Sequence, residues 1–179
     1  MRLATVAVLT LLAAAPLAAQ SDDVLFGVKA GIVELDCVDV EDVICIDTDL
    51  APSGGVFLDY GLTDAVFGGL YADVHGVKGD FGDDREYMID VGAMLKATFG
   101  STMRRAYFRP GIGAGFGTLD VGETAQFLTT RATLEVVIPQ VGGTSWLAEA
   151  GVYYAPLGSA GDADVTFGPG FMLRGGVLF

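Results

Sequence analysis

His75 is the one histidine in 179 residues, and Asp73, two positions before it, shares its face on an extended strand and could orient its ring. An imidazole beside a carboxylate is two parts of an acid–base relay, and a hydroxyl nucleophile within hydrogen-bond reach would complete it. Gly76 and Val77 follow directly, with no serine close in sequence; Ser53 and Ser159 could approach His75 only through the fold. A rim histidine satisfied by its neighbours is the simpler reading. Cys37 and Cys45 enclose Val38 to Ile44, and in an exported chain they point to one disulfide, with free thiols or a metal clip as alternatives. Such a ring contributes about 2–3 kcal/mol at most, mainly by restricting the open loop. Gly111, Gly113 and Gly115 alternate along a strand and open no helix, so they make no phosphate-cradling turn. No cofactor site and no metal site are expected.

Charge is the other chemical resource. The net charge is -13 although 51% of residues are hydrophobic. No long basic run exists, and no interleaving of aromatic and basic residues, so nucleic acid is not expected as a partner. Most of the acid falls in four connecting segments: Asp36, Asp39, Glu41, Asp42, Asp47 and Asp49; Asp80, Asp83, Asp84 and Glu86; Asp120 and Glu123; Asp162 and Asp164. Only Lys78 and Arg85 oppose them there. Solvated loops that keep their tips soluble would read this way. Oxygen-rich loops also suit divalent cations such as calcium, although the first segment lacks the glycine and final glutamate of an EF-hand.

The elements that must position these groups are strands. Residues 1–19 carry Arg2, an apolar run from Leu3 to Ala15, then Pro16 and small residues, which reads as a cleavable secretory signal with cleavage near Ala19. Residues 20–179 form a single domain by length. No later stretch reaches the roughly 18 apolar residues of a membrane helix, so any membrane crossing is left to strands. Period-two alternation marks eight of them, at about 24–35, 53–62, 65–77, 87–99, 105–116, 126–138, 145–156 and 165–179. Most exceed the 5 or 6 residues usual in soluble strands and reach the roughly 9–11 that cross a tilted bilayer. Connections at 62–65, 100–104 and 139–144 are short, whereas 36–52, 78–86, 117–125 and 157–164 are longer.

Parity then sorts the side chains. One face of each strand collects Val56, Leu58, Tyr60, Ile89, Val91, Leu95, Phe108, Ile112, Leu128, Leu134, Val136, Val152 and Leu173. The opposite face collects Lys29, Asp59, Asp73, Asp90, Lys96, Arg109, Arg131, Glu135, Glu149 and Arg174, five basic and five acidic. Glu34, at the rim of the first strand, is the charge on the apolar parity. A soluble ligand-binding barrel would turn the apolar face inward. Balanced signs, the small glycines that accompany the charges, and aromatics gathered near strand ends favour charge inside and oil outside. Those aromatics are Phe26, Tyr60, Tyr87, Phe99, Phe116, Trp146, Tyr154, Phe167 and Phe179, placed as two interfacial girdles. In the last strand, Val165 to Phe179 is read as one unbroken outward parity.

This pattern resembles the small bacterial outer-membrane barrels of the OmpA transmembrane-domain and OmpX/Ail type over essentially the whole mature chain. Eight alternating strands, alternating loop lengths and the ending Gly-Phe-Met-Leu-Arg-Gly-Gly-Val-Leu-Phe carry the resemblance. It implies an all-β, eight-stranded, antiparallel up-and-down transmembrane barrel in the bacterial outer membrane, surrounded by lipid and lipopolysaccharide. It also implies insertion by the barrel-assembly machinery, with Phe171, Leu173, Val177 and Phe179 as the C-terminal assembly signal. The chain ends at Phe179 with no peptidoglycan-binding domain after the barrel, so wall anchoring is not expected. A monomer is expected. Some barrels of this size remodel lipid A, which would require His75 beside a serine at the outer rim; the expectation is a protein that is not an enzyme. Eight strands enclose a lumen that side chains can fill, so the ten charges are expected to interlock as a plug. A narrow ion path is the alternative, kept open because the lumen glycines leave room for water. The role follows as structural or surface-interactive, through acidic loops that meet divalent cations or a basic partner.

Overall fold

The computed structural model describes residues 24–35, 37–40, 44–77, 86–100, 106–120, 124–140, 142–161 and 163–179, with side chains omitted at 37–40, 44–47 and 120. The secretory signal expected at 1–19 lies outside them. Ten strands run β1 (Val24–Glu34), β2 (Cys37–Val40), β3 (Ile44–Asp47), β4 (Ala51–Thr63), β5 (Val66–Val77), β6 (Glu86–Ala97), β7 (Tyr107–Asp120), β8 (Thr124–Pro139), β9 (Ser145–Ala160) and β10 (Ala163–Leu178). Eight of them close an all-antiparallel barrel in the order β1-β4-β5-β6-β7-β8-β9-β10, and β10 returns to pair with β1 from Gly27↔Leu178 to Glu34↔Phe171. At the closure Phe26 and Phe179 exchange backbone hydrogen bonds of 3.2 and 2.8 Å and stack their rings. A closed ladder leaves no unpaired edge in hydrocarbon, the condition for a sheet to cross a bilayer.

The segment 36–52 is not simply a loop. β2 and β3 form a hairpin, and β2 adds to the outer part of β10 through Val40↔Val165 and Val38↔Phe167. The connections near 117–125 and 157–164 are likewise shorter than their polar sequences suggest. β7 and β8 stay paired up to Asp120↔Thr124, and β9 and β10 up to Ala163↔Ala160. Thr118, Thr124 and Ser159 look like loop residues because the strands continue past the apolar belt, where an outward side chain no longer has to be oily.

The last strand departs from its expected single parity. Val165 and Phe167 are buried, whereas Phe171 and Leu173 are exposed. Register shifts fall between Asp164 and Phe167 and between Phe167 and Gly170, and the stretch holds Pro169, which has no N–H to give the ladder. The inserted residue flips every side chain beyond it to the other face. Phe167 therefore leaves the expected girdle and packs its ring against Phe127 inside, 4.5 Å between centroids. Phe26 is also nearly covered.

Outward, Tyr60, Phe99, Phe108, Trp146 and Phe179 are exposed near the end that holds both termini, and Tyr87, Phe116, Tyr154 and Phe171 toward the other. Leu58, Leu70, Ile89, Val91, Leu95, Ile112, Leu134, Val152 and Leu173 lie exposed between. In water so large an apolar surface would drive aggregation; facing lipid it is the stable arrangement. Glu34 is exposed at the rim.

Candidate functional site

The ten charges of the second parity, Lys29, Asp59, Asp73, Asp90, Lys96, Arg109, Arg131, Glu135, Glu149 and Arg174, all point into the barrel, none more than 4% exposed. Adjacent strands in an antiparallel barrel present residues directly opposite one another, and here two such pairs carry like charge. Asp73 faces Asp90 across β5 and β6, and Glu135 faces Glu149 across β8 and β9. Left alone, either pair would be destabilising. Each is bridged by a cation from another wall. Arg131 sends Nη1 to Asp73 and Nη2 to Asp90, two parallel donations that suit a planar guanidinium. Lys29 Nζ lies 2.5 Å from Glu149 and 3.8 Å from Glu135.

The remaining contacts join these two bridges into one network. Arg174 spans Asp73 at 2.8 Å and Glu149 at 2.5 Å. Lys96 spans Asp59 at 3.0 Å and Glu135 at 2.9 Å, and Arg109 donates to Asp59 and reaches Glu135 at 3.4 Å. Thr129 Oγ1 donates to Asp90 at 2.8 Å. Five cations and five anions are thus linked without interruption, and buried charges persist when satisfied in this way.

Aromatic rings that parity alone did not single out support the cations. Arg131 lies 3.8 Å from the Tyr71 ring centroid and 5.6 Å from that of Tyr153. Lys96 and Lys29 sit 4.1 and 4.8 Å from Phe57, and Arg109 sits 5.2 Å from Phe67. These rings lie on the same inward parity as the charges, so extending the parity count to uncharged residues would have found Phe57, Tyr71 and Tyr153.

Two apolar clusters cover the network. Toward the outer end lie Val33, Leu35, Val77, Met88, Leu119, Phe127, Val165, Phe167 and Met172. The other cluster contains Leu25, Phe57, Tyr71, Met94, Tyr107, Val137, Leu147 and Leu178. The lumen glycines do not leave room for water, as the sequence suggested. A Cβ on Gly55 would meet the Asp73 carboxylate, and one on Gly69 the Asp59 carboxylate. Glycine lets the wall approach the charges; it does not hollow the lumen.

The fold brings Ser53 to His75 across β4 and β5, Oγ to Nδ1 at 2.9 Å, with both side chains buried. Ser159, exposed on β9, pairs with Gln126 and Asp164 instead. The Ser53–His75 pair faces the lumen, beneath the outer apolar cluster and away from the lipid side. Among the described residues no group of three or more His, Cys, Asp or Glu is arranged to hold a metal. Most of the acidic side chains outside the barrel lie beyond the described residues, as do the side chains of Cys37 and Cys45. The backbones of these two occupy β2 and β3, where Cys37 faces Asp47 and Cys45 faces Asp39, one diagonal step apart. Phe171, Leu173 and Phe179 are exposed and Val177 half-buried along the outward face of β10.

The sequence matches the family described as outer membrane protein beta-barrel domain over residues 4–176. Among solved structures, the chain is similar to Neisserial surface protein A at 12% identity and a TM-score of 0.59, covering 87% of this chain and 95% of that one. It is similar to the outer membrane protein OprG from Pseudomonas aeruginosa at 15% identity and a TM-score of 0.55, with 87% and 95% covered. Ail, the attachment invasion locus protein of Yersinia pestis, aligns at 15% identity and a TM-score of 0.50, with 88% and 99% covered. At these identities the likeness is one of fold. No curated protein matches the sequence.

Proposed function

The chain belongs to the outer membrane protein beta-barrel domain family and resides in the bacterial outer membrane, and from that premise we propose that it is a closed, non-conducting barrel with a structural or surface-interactive role. The observation that carries this reading is the lumen: one unbroken network of ten buried charges, covered by an apolar cluster toward the outer end and meeting a second one below. An aqueous path would need charged groups left facing water along the axis, and here each charged side chain is paired with one of opposite sign. What remains for partners is the outer surface, where the β2–β3 hairpin lies and whose connecting segments are acidic by sequence. That surface suits divalent cations bridging to lipopolysaccharide, or a basic partner. The similar fold of Ail, an attachment invasion locus protein, accords with a surface role.

The ending Phe171, Leu173, Val177 and Phe179 is read as the signal taken by the barrel-assembly machinery. The Ser53–His75 pair is read as structural, because a lipid substrate has no route to a buried lumen pair. Acyl release from lipid A by the wild type that is lost in His75→Ala would reverse that reading.

The test of the closed barrel is conductance of the purified protein in planar bilayers at neutral pH. Silence at the no-protein background supports it, and steady, salt-dependent current refutes it. Calcium titration against thermal unfolding tests the cation reading; an unaltered melt counts against it.

A further inference from the structure

His75 occupies the boundary between the ionic network and the outer apolar cluster. Its Nδ1 meets Ser53, while Nε2 has no hydrogen-bond partner among the described residues. Its ring leans on Tyr153, 5.5 Å between centroids and tilted by 55°. The Tyr153 hydroxyl points at the sulfur of Met88 at 3.7 Å, and Met88 is both the residue directly across from His75 on β6 and part of the outer cluster. His75 and the outer cluster are therefore packed as one unit. Directly below, on the same strand and face, Asp73 keeps one carboxylate oxygen, Oδ1, without a partner.

A neutral imidazole donates from one nitrogen, whereas an imidazolium donates from both. With Nδ1–H donating to Ser53 Oγ in the neutral ring, proton uptake at Nε2 creates a donor that has no acceptor among the described residues in the closed arrangement. The charged and titratable groups acting on it are Asp73 on its own strand, Arg131 from β8, Glu149 and Tyr153 from β9, and Arg174 from β10; Ser53 from β4 and Met88 from β6 carry no charge. Of these, Asp73 Oδ1 is the open acceptor. Turning toward it pulls the ring from Ser53 and Tyr153, and it adds a positive charge beside Arg131 and Arg174 to a network whose charges otherwise balance.

We propose that His75 is an acid-operated latch: in its neutral form it holds the outer cluster closed over the lumen, and when it takes a proton its turn toward Asp73 loosens the cluster and the Arg131 and Arg174 bridges that fill the lumen below, so that small ions pass. The latch rests on the reading of the lumen as closed at neutral pH.

The experiment is planar-bilayer recording in KCl with the purified mature protein, as wild type, His75→Gln and Ser53→Ala, in steps from about pH 7.5 to about pH 4.5, across the usual histidine range. The wild type should be silent at the higher pH and pass at least roughly tenfold more current at the lower. His75→Gln, which can still bond Ser53 but does not titrate, should stay silent at both. A wild type equally silent at both pH values overturns the latch and leaves the closed barrel standing. His75→Gln opening like the wild type also overturns it, because the lumen carboxylates would then be the sensors. Current in the wild type at pH 7.5 overturns the closed barrel, and the latch with it. If His75→Gln fails to give the heat-modifiable folded form, Ser53→Ala decides: it loses the closed-state partner but keeps the titrating ring, so its opening should move to higher pH, and an unmoved opening refutes the proposal.

Discussion

Replacing Arg131 with methionine keeps most of the side-chain volume and removes the charge that lets Asp73 and Asp90 face one another. The two carboxylates do not suffer equally. Asp73 retains Arg174 at 2.8 Å, but among the described residues Asp90 retains only the Thr129 hydroxyl at 2.8 Å. Removing one partner of a buried ion pair costs about 3–5 kcal/mol, largely because the other charge is left without compensation. For a chain of this size each kcal/mol lowers the melting temperature by about 2–4 °C, so Arg131→Met should melt roughly 6–20 °C below the wild type. Circular dichroism in detergent, with heat-modifiable gel mobility as the second probe, measures it. The asymmetry gives the reasoning a sharper test. Adding Asp90→Asn to Arg131→Met removes the stranded charge and should recover at least about half of the loss, whereas adding Asp73→Asn should recover less and leave Arg174 short of a partner. Arg131→Met melting within about 2 °C of the wild type would refute the bridge, as would Asp73→Asn rescuing better than Asp90→Asn.

Ile112, 65% exposed on the lipid side, should tolerate arginine badly: Ile112→Arg should cost about 2–4 kcal/mol near the bilayer midplane in a urea titration in lipid, and no loss would argue against its depth. Gly69→Ala should lower stability by about 1–3 kcal/mol, because the new methyl enters the space of the Asp59 carboxylate. Gly142→Ala meets open space and should cost only the strain of its positive φ of 109°, about 1–2 kcal/mol, whereas a Gly69→Ala protein as stable as the wild type would refute the packing argument. Cys37 and Cys45 should resist alkylation until a reductant is added, read as a mass increase of two adducts; labelling without reductant would mean free thiols.

The alternation that separates Leu58 from Asp59 and Leu134 from Glu135 made the barrel and its two faces legible, because a period-two pattern repeated eight times admits few other folds. What alternation could not show was any place where the count slips. The shifts around Gly168 and Pro169 turned Val165 and Phe167 inward, and an inserted residue leaves no mark in a residue-by-residue parity. The hairpin β2–β3 was hidden for a related reason. Cys37–Val40 and Ile44–Asp47 are four residues each, set among acidic neighbours, and β2 pairs with the edge that β10 offers above the membrane. At the lumen, charge drew the eye while Phe57, Tyr71, Phe127 and Tyr153 did not, since an apolar residue on a polar face looks like noise until its neighbours are known. The glycines misled most directly: small residues beside charges suggested space, but the space is taken by carboxylates and by the Tyr71 hydroxyl. Ser53 and His75 are 22 positions apart, and only the β4–β5 register places them together.

Everything depends on which face of the strands meets hydrocarbon, and nuclear Overhauser contacts between detergent alkyl chains and methyl groups in the micelle-bound protein report that directly. Strong contacts should appear at Leu58, Ile112, Leu134 and Leu173, and none at Met88, Met94 or Val137. Alkyl contacts to the second group, with the first group seeing only water, would mean that the barrel is turned inside out.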